Sequence, residues 1–448
     1  MKRRSVATTG AFLLTVTMLA AACSSGKSDS AGTVTTRAPA DTTSPADTTS
    51  PADTATSAAV TTGAAPSTRA SGTGQAGKTI KIGLVNEDKG VYAFPEYRIG
   101  AETAFKQIND TGGVNGAKIE LVSCSTDLTP ESSINCANRL VEANVAVAFT
   151  AIDLTSDAAL PVYQSAGIPY VTSNNWGDVQ AHAKGSHLLH VATEGLFVGA
   201  FALAKKLGVK KLAYLYEKSP AQDNNVNNIL PPIAKAFGVT AQSAGVDGAA
   251  PDWTAAVATA KAGGAEMIYG LISEPGCTAM VQAIRDAEFT GPIVAGACSE
   301  FMPKLGDKAI GVYTLLDQLQ PTAKATAPAS IAAHLTEYEG LMAAAGHSKY
   351  TEGYAVWAYG AARELGTILS SIDGDVTAAS AEVALNRDVV VPGWLGPDLN
   401  CGAKPWPASP SHCSASIAVY QTEKAADGSL QRKQFIPYFD AYTAFKGQ

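Results

Sequence analysis

The sequence predicts an α/β protein built on parallel-rich sheets with helices on both faces. Two observations carry this. Short apolar runs of strand length alternate with amphipathic stretches of helix length through nearly all of residues 78–448, and parallel strands need such crossovers. The chain also has 448 residues, 46% of them hydrophobic, which exceeds one ordinary core and implies two or more domains.

The elements follow in order. Residues 80–85 are an apolar β run. A helix is expected over 96–109, where Ala101, Ala104, Phe105 and Ile108 recur at i, i+3, i+4 and i+7 on one buried face. Gly112 and Gly113 end it. Residues 118–123 form the next strand. Thr129-Pro130 opens the next helix, with proline in the first turn, where its missing N–H costs nothing. Further short strands are expected at 145–150, 169–172, 211–216, 267–272 and 292–295, with helices between them.

The first 77 residues have a different character. Lys2, Arg3 and Arg4 precede a short apolar stretch, 11–22, too short to span a bilayer comfortably. It ends in Leu19-Ala20-Ala21-Ala22-Cys23, followed by Ser24, Ser25 and Gly26. Small residues before a cysteine, then a polar tract, resemble a bacterial lipobox. That implies a signal peptide over 1–22 and a diacylated Cys23; the alternative is an ordinary secretory signal cut after Ala22. Two or more acyl chains anchor stably where one does not. Residues 23–77 are dominated by Thr, Ala, Ser, Pro, Asp and Gly. The hexad beginning at Asp41 recurs at Asp47 and, degenerate, at Asp53. Such a tract has too little apolar surface to fold and is expected to be a disordered tether with a reach of about 40 Å.

The net charge of −7 argues against nucleic acid as a partner and against membrane contact other than through the anchor. Beyond Cys23 there are six cysteines: Cys124, Cys136, Cys277, Cys298, Cys401 and Cys413. An even number in an exported chain suggests disulfides, and proximity in sequence favours Cys124–Cys136, Cys277–Cys298 and Cys401–Cys413. The alternative is a zinc site, but no Cys-x-x-Cys occurs and the six histidines show no ligand spacing. No metal, cofactor or catalytic residue is expected. Residues 72–79 satisfy both a dinucleotide fingerprint and a phosphate-loop pattern in letters. They lie between linker and strand, where no helix N-terminus follows to gather amides on an anion. No Gly-x-Ser-x-Gly or His-Glu-x-x-His occurs. His182, His187 and His190 read as surface or hinge histidines.

In parallel α/β sheets, ligands bind beyond the carboxyl ends of the strands. The residues there are Asn86, Glu87 and Tyr92; Asp153, Thr155 and Ser156; Ser173, Asn174 and Trp176; Glu217, Gln222 and Asp223; Ser273 and Glu274; Cys298 and Glu300. Tyr92 and Trp176 are expected as apolar walls. Thr155, Ser156 and Ser173 are expected as donors, with Asp153 and Asn174 beside them. Glu217, Asp223 and Glu274 are expected from the second half. Acids dominate that side, which favours a ligand with a cationic or N–H-rich group.

Residues 78–86 (KTIKIGLVN), Gly112-Gly113-Val114-Asn115-Gly116, Ala166-Gly167-Ile168-Pro169, 192–217 (ATEGLFVGAFALAKKLGVKKLAYLYE) and 350–369 (YTEGYAVWAYGAARELGTIL) together resemble the type I periplasmic binding proteins, most closely the leucine/isoleucine/valine-binding type. The resemblance implies two Rossmann-like lobes joined by a three-strand hinge, with crossings near Gly195, Asp317 and Asp375. The first lobe would be 78–194 with 317–375, and the second 195–316 with 376–448. It implies a monomeric, non-enzymatic solute-binding lipoprotein on the extracytoplasmic face of the cell membrane. It would capture an amino acid or a related amide or organic compound between the lobes and deliver it to an ABC transporter permease. A tethered sensor module is the alternative, and an extracellular hydrolase a weaker one. Where amino-acid binders of this family hold the α-carboxylate, this chain has Asp153, which would repel it. The fold therefore transfers better than the ligand.

Overall fold

The computed structural model describes residues 75–90, 93–174 and 178–448. The signal segment, Cys23, the repeat tract, Tyr92 and Trp176 lie outside the described residues.

The strands, in chain order, are β1 (Thr79–Glu87), β2 (Lys118–Thr126), β3 (Val147–Ile152), β4 (Tyr170–Thr172), β5 (Ser186–Val191), β6 (Lys211–Glu217), β7 (Thr240–Val246), β8 (Met267–Gly270), β9 (Ile293–Val294), β10 (Tyr313–Leu316), β11 (His412–Ser414), β12 (Ser416–Lys424) and β13 (Leu430–Asp440). They form two sheets, in the orders β11-β5-β4-β3-β1-β2 and β13-β12-β10-β9-β8-β6-β7. Every pairing in the first sheet is parallel. The second is parallel up to β10, after which β12 and β13 add an antiparallel edge.

Burial explains the pattern of letters. All six residues of β3 are buried, as expected for a strand covered on both faces, where an unbroken apolar run replaces alternation. The helix Pro95–Asp110 buries Ala101, Ala104, Phe105 and Ile108, the expected face. One core cluster packs around the second sheet. Another unites one face of the first sheet with the helices Pro95–Asp110, Ala329–Ala344 and Tyr354–Ser370, and a smaller one covers the other face.

The chain passes from the first sheet to the second after β5, returns at Asp317 after β10, and passes again at Ala415, between β11 and β12. The third passage does not fall near Asp375. Beyond that residue Ala381, Ala384, Leu385, Leu395 and Leu399 remain in the first core, and β11 then pairs with β5. A three-residue edge strand carries no apolar period that the sequence could reveal. His187 and His190 are not surface residues: both are buried, because β5 is an inner strand once β11 covers it.

The structure pairs Cys124 with Cys136, Cys277 with Cys298, and Cys401 with Cys413. No helix among the described residues is long and apolar enough to cross a membrane.

Candidate functional site

Two helix starts of the second sheet meet two helix starts of the first core. β8 runs into the helix Glu274–Asp286, capped by Ser273, whose Oγ accepts from Gly276 N at 3.2 Å. β9 leads through Cys298 into the helix Phe301–Leu305. The Cys277–Cys298 disulfide joins these two starts. Facing them are the first turns of the helices Pro95–Asp110 and Tyr354–Ser370. Between them is a cavity of about 240 Å³, lined by Glu96, Glu274, Ser299, Glu300, Met302, Thr322, Tyr350, Glu352, Gly353 and Tyr354 among others.

Its walls are tightly bonded. The buried Glu274 carboxylate accepts from the backbone N–H of Ser299 (3.0 Å) and of Glu300 (2.9 Å), and from Ser299 Oγ (3.1 Å). Burial outweighs these bonds and pushes its pKa up to about 7. Gly353 faces it with φ of 72°, and a Cβ there would lie 2.7 Å from Glu274 Oε1 and 2.8 Å from Ser299 Oγ. Both the left-handed backbone and the close approach require glycine. Next to it, Tyr354 donates its hydroxyl to Ile272 O at 3.2 Å and stacks on Tyr97 with centroids 5.1 Å apart. Glu352 accepts from Thr322 N (2.7 Å) and from Arg432 Nη1 (2.7 Å). Arg432, wholly buried on β13, also donates to Cys298 O at 2.9 Å and to Gln320 Oε1 at 3.0 Å. Burial raises the pKa of Glu96.

Of the residues expected from strand ends, Glu274 and Glu300 among the described ones line this cavity. Glu217 supports it from behind, accepting from Ser273 N at 3.1 Å and Ser273 Oγ at 2.8 Å. Asp223 is exposed on the helix Pro220–Asn224 and is not part of the lining. In the first lobe, Asp153 is buried and fastens its own loop: Oδ1 accepts from Ser133 Oγ (2.9 Å), Thr155 N (3.0 Å) and Thr155 Oγ1 (3.0 Å). Ser156 donates to Asp153 O at 2.8 Å and accepts from Gln180 Nε2 at 2.6 Å. These groups satisfy one another, so they hold the loop after β3. Ser173 Oγ and Asn174 Oδ1 are buried with no partner among the described residues. Asn174 Nδ2 donates to Asp317 Oδ2 at 3.0 Å, which places it at the hinge. Glu87 is buried at the end of β1, and burial, helped by the charge of Asp153, pushes its pKa up to about 7.

Glu96, Glu352, Tyr354 and Arg432 were not expected in the site. Glu352 and Tyr354 fall inside the motif at 350–369, where Tyr354 opens a helix. Arg432 is the one buried residue of its strand; a lone arginine between polar neighbours carries no such signal in sequence. Among the described residues no group of three His, Cys, Asp or Glu side chains converges to hold a metal.

A family model described as periplasmic binding protein matches residues 79–398. The chain belongs to this family. The periplasmic binding protein is therefore a solute-binding protein of an extracytoplasmic family. It is 28% identical over 257 residues to a Pseudomonas aeruginosa protein named as a leucine-, isoleucine-, valine-, threonine- and alanine-binding protein, covering 54% of this chain and 67% of that one. It is 27% identical over 222 residues to an amino acid binding protein of the same organism, covering 47% and 58%. The second alignment thus spans little more than half of that relative. Among solved structures it resembles a fatty acid ABC transporter substrate-binding protein from Thermomonospora curvata (TM-score 0.66, 17% identity, 83% of this chain and 95% of that one). It also resembles an R. palustris solute-binding protein in complex with 4-hydroxybenzoate (TM-score 0.66, 21% identity, 81% and 97%). At these identities the structures establish the fold alone.

Proposed function

We propose that this periplasmic binding protein captures a small polar ligand in the cavity between its lobes and delivers it to an ABC transporter permease, without chemical turnover. The observation that carries the ligand class is the lining. Four acidic side chains, of Glu96, Glu274, Glu300 and Glu352, and one basic one, of Lys349, face about 240 Å³; Arg432 and Lys304 behind them are committed to Glu352 and Glu300. A ligand bringing a cationic or N–H-rich group, such as an amino acid or an amide, suits this wall better than an anion does. The amino-acid-binding relatives support the same class. Glu96 and Tyr354 line the cavity from the first lobe, Ser173 and Asn174, with Tyr92 and Trp176, are proposed as further first-lobe contacts, and both lobes touch the ligand only when shut, so binding selects the closed state. The protein acts as a monomer, held to the membrane by lipid on Cys23.

Two experiments test this. Calorimetry on the full-length protein in detergent, titrated with L-leucine, L-glutamine, urea and 4-hydroxybenzoate, is expected to give one-to-one binding of an N–H-bearing compound and none of the aromatic acid. Binding of 4-hydroxybenzoate alone would overturn the ligand class. Cys23→Ala is expected to release the protein from membranes on fractionation, and a variant that stays bound would sink the anchor.

A further inference from the structure

The three passages between the sheets converge on one buried polar cluster. At the end of β5, His190 Nε2 lies 2.8 Å from Glu364 Oε2 and contacts the Gln318 amide. His412 of β11 bonds through Nδ1 to His190 O at 2.9 Å. Asp317 accepts from Asn174 Nδ2 at 3.0 Å and from Gln318 N at 2.9 Å. Each passage thus contributes a member.

The loop 391–399 closes over this cluster. Val391 and Leu399 exchange backbone bonds of 2.8 and 2.9 Å at its base. At its tip, Leu395 O accepts from Leu319 N at 2.6 Å, and Trp394 N donates to Glu364 Oε1 at 2.9 Å. The Trp394 ring is stacked on His334 with centroids 4.0 Å apart, and Arg363 lies 4.0 Å from its centroid. Gly396 sits so close to the second passage that a Cβ there would be 2.4 Å from Asp317 O. Beyond the loop, Asn400 N donates to Cys413 O at 2.7 Å, and the Cys401–Cys413 disulfide fastens the exit to β11, just before the third passage. The loop is therefore bonded to the second passage through Leu395, to the first through Glu364 and His190, and to the third through the disulfide.

We propose that residues 391–401 are a hinge strap that makes the three passages move together and restricts opening of the lobes, with Trp394 and Gly396 as positioning residues. A closed state favoured in this way would lower the population cost of capturing ligand. The proposal goes beyond the ligand assignment and is tested without ligand, so the two can fail independently.

The test is a distance distribution between spin labels on unnatural residues at the exposed helical positions Asn138 and Ala258, measured on the full-length chain in detergent. The chain with its strap intact is expected to give one narrow distribution. Gly396→Ala, and separately Cys401→Ser with Cys413→Ser, are expected to broaden and lengthen it, and to speed amide exchange at Leu319 by about tenfold. Gly340→Ala, where a Cβ meets open space, is expected to change neither. If Gly396→Ala does not fold, the disulfide variant decides. Faster exchange at Leu319 with an unchanged narrow distribution would overturn the strap, as would a broad distribution in the unaltered chain. Trp394→Phe, which keeps a ring between His334 and Arg363, is expected to restore most of what Trp394→Ala loses. Equal loss in both would refute the positioning role of the ring.

Discussion

The hydroxyl of Tyr354 donates to the carbonyl oxygen of Ile272 at 3.2 Å, so a helix of the first core is hydrogen-bonded directly to the loop that follows β8 of the second sheet. Tyr354→Phe keeps the stack on Tyr97 and removes the donor. It should cost the closed state about 0.5–1.5 kcal/mol, read in calorimetry as roughly three- to tenfold weaker ligand binding. Unchanged affinity would show that the bond is not part of closure.

Glu274 gives a pH dependence. Its pKa rises from 4.5 to about 7 on folding because burial disfavours the charge. Between those values the folded state binds more protons than the unfolded one. The group's contribution to stability is therefore full below about pH 4.5 and is lost as pH rises through about 7. Thermal unfolding across pH 5–8 should show this fall, and Glu274→Gln should flatten it. A slope that Glu274→Gln leaves unchanged would assign it elsewhere, with Glu87 the first candidate.

Arg432 is wholly buried and holds Glu352, Gln320 and Cys298 O at once. Arg432→Leu leaves Glu352 without its counter-charge and should cost about 3 kcal/mol in urea unfolding. Arg432→Leu with Glu352→Leu should recover part of that loss, since removing both charges costs less than stranding one. A double variant no more stable than the single would place the whole effect in packing.

The Cys277–Cys298 disulfide spans 21 residues and ties together the two helix starts beside the cavity. Replacing both with serine should cost about 2–4 kcal/mol. Because Glu274 still bonds Ser299 and Glu300, the wall should persist, and ligand affinity should fall less than stability. A variant of unchanged stability that no longer binds would reverse that ranking.

Most of the fold was legible because parallel strands covered on both faces write themselves as apolar runs. β3 and the helix Pro95–Asp110 are examples, and their edges were misjudged by only a few residues. The site was legible in part. Strand ends do supply Glu217, Glu274 and Glu300, but a strand-end rule cannot tell a carboxylate that faces a cavity from one that caps a loop. Asp153 shows the difference: its donors, Ser133 and Thr155, come from a helix and a turn that only folding brings to it. Arg432 and Glu352 lie 80 residues apart, and no local pattern links them.

By itself the sequence determined the alternation of strand and helix and the composition break before residue 78, and it favoured, by proximity, the three short-range cysteine pairs that the fold forms. These depend on side-chain period and on proximity along the chain, both of which are local. Tertiary structure decided the third passage at Ala415, the acid-lined cavity and the buried cluster of His190, Glu364 and Gln318. Each of these depends on which surfaces are dry and which distant groups face one another. Burial that lifts a carboxylate toward neutral pH, or keeps an arginine paired, is a property of that packing and has no signature in the order of residues.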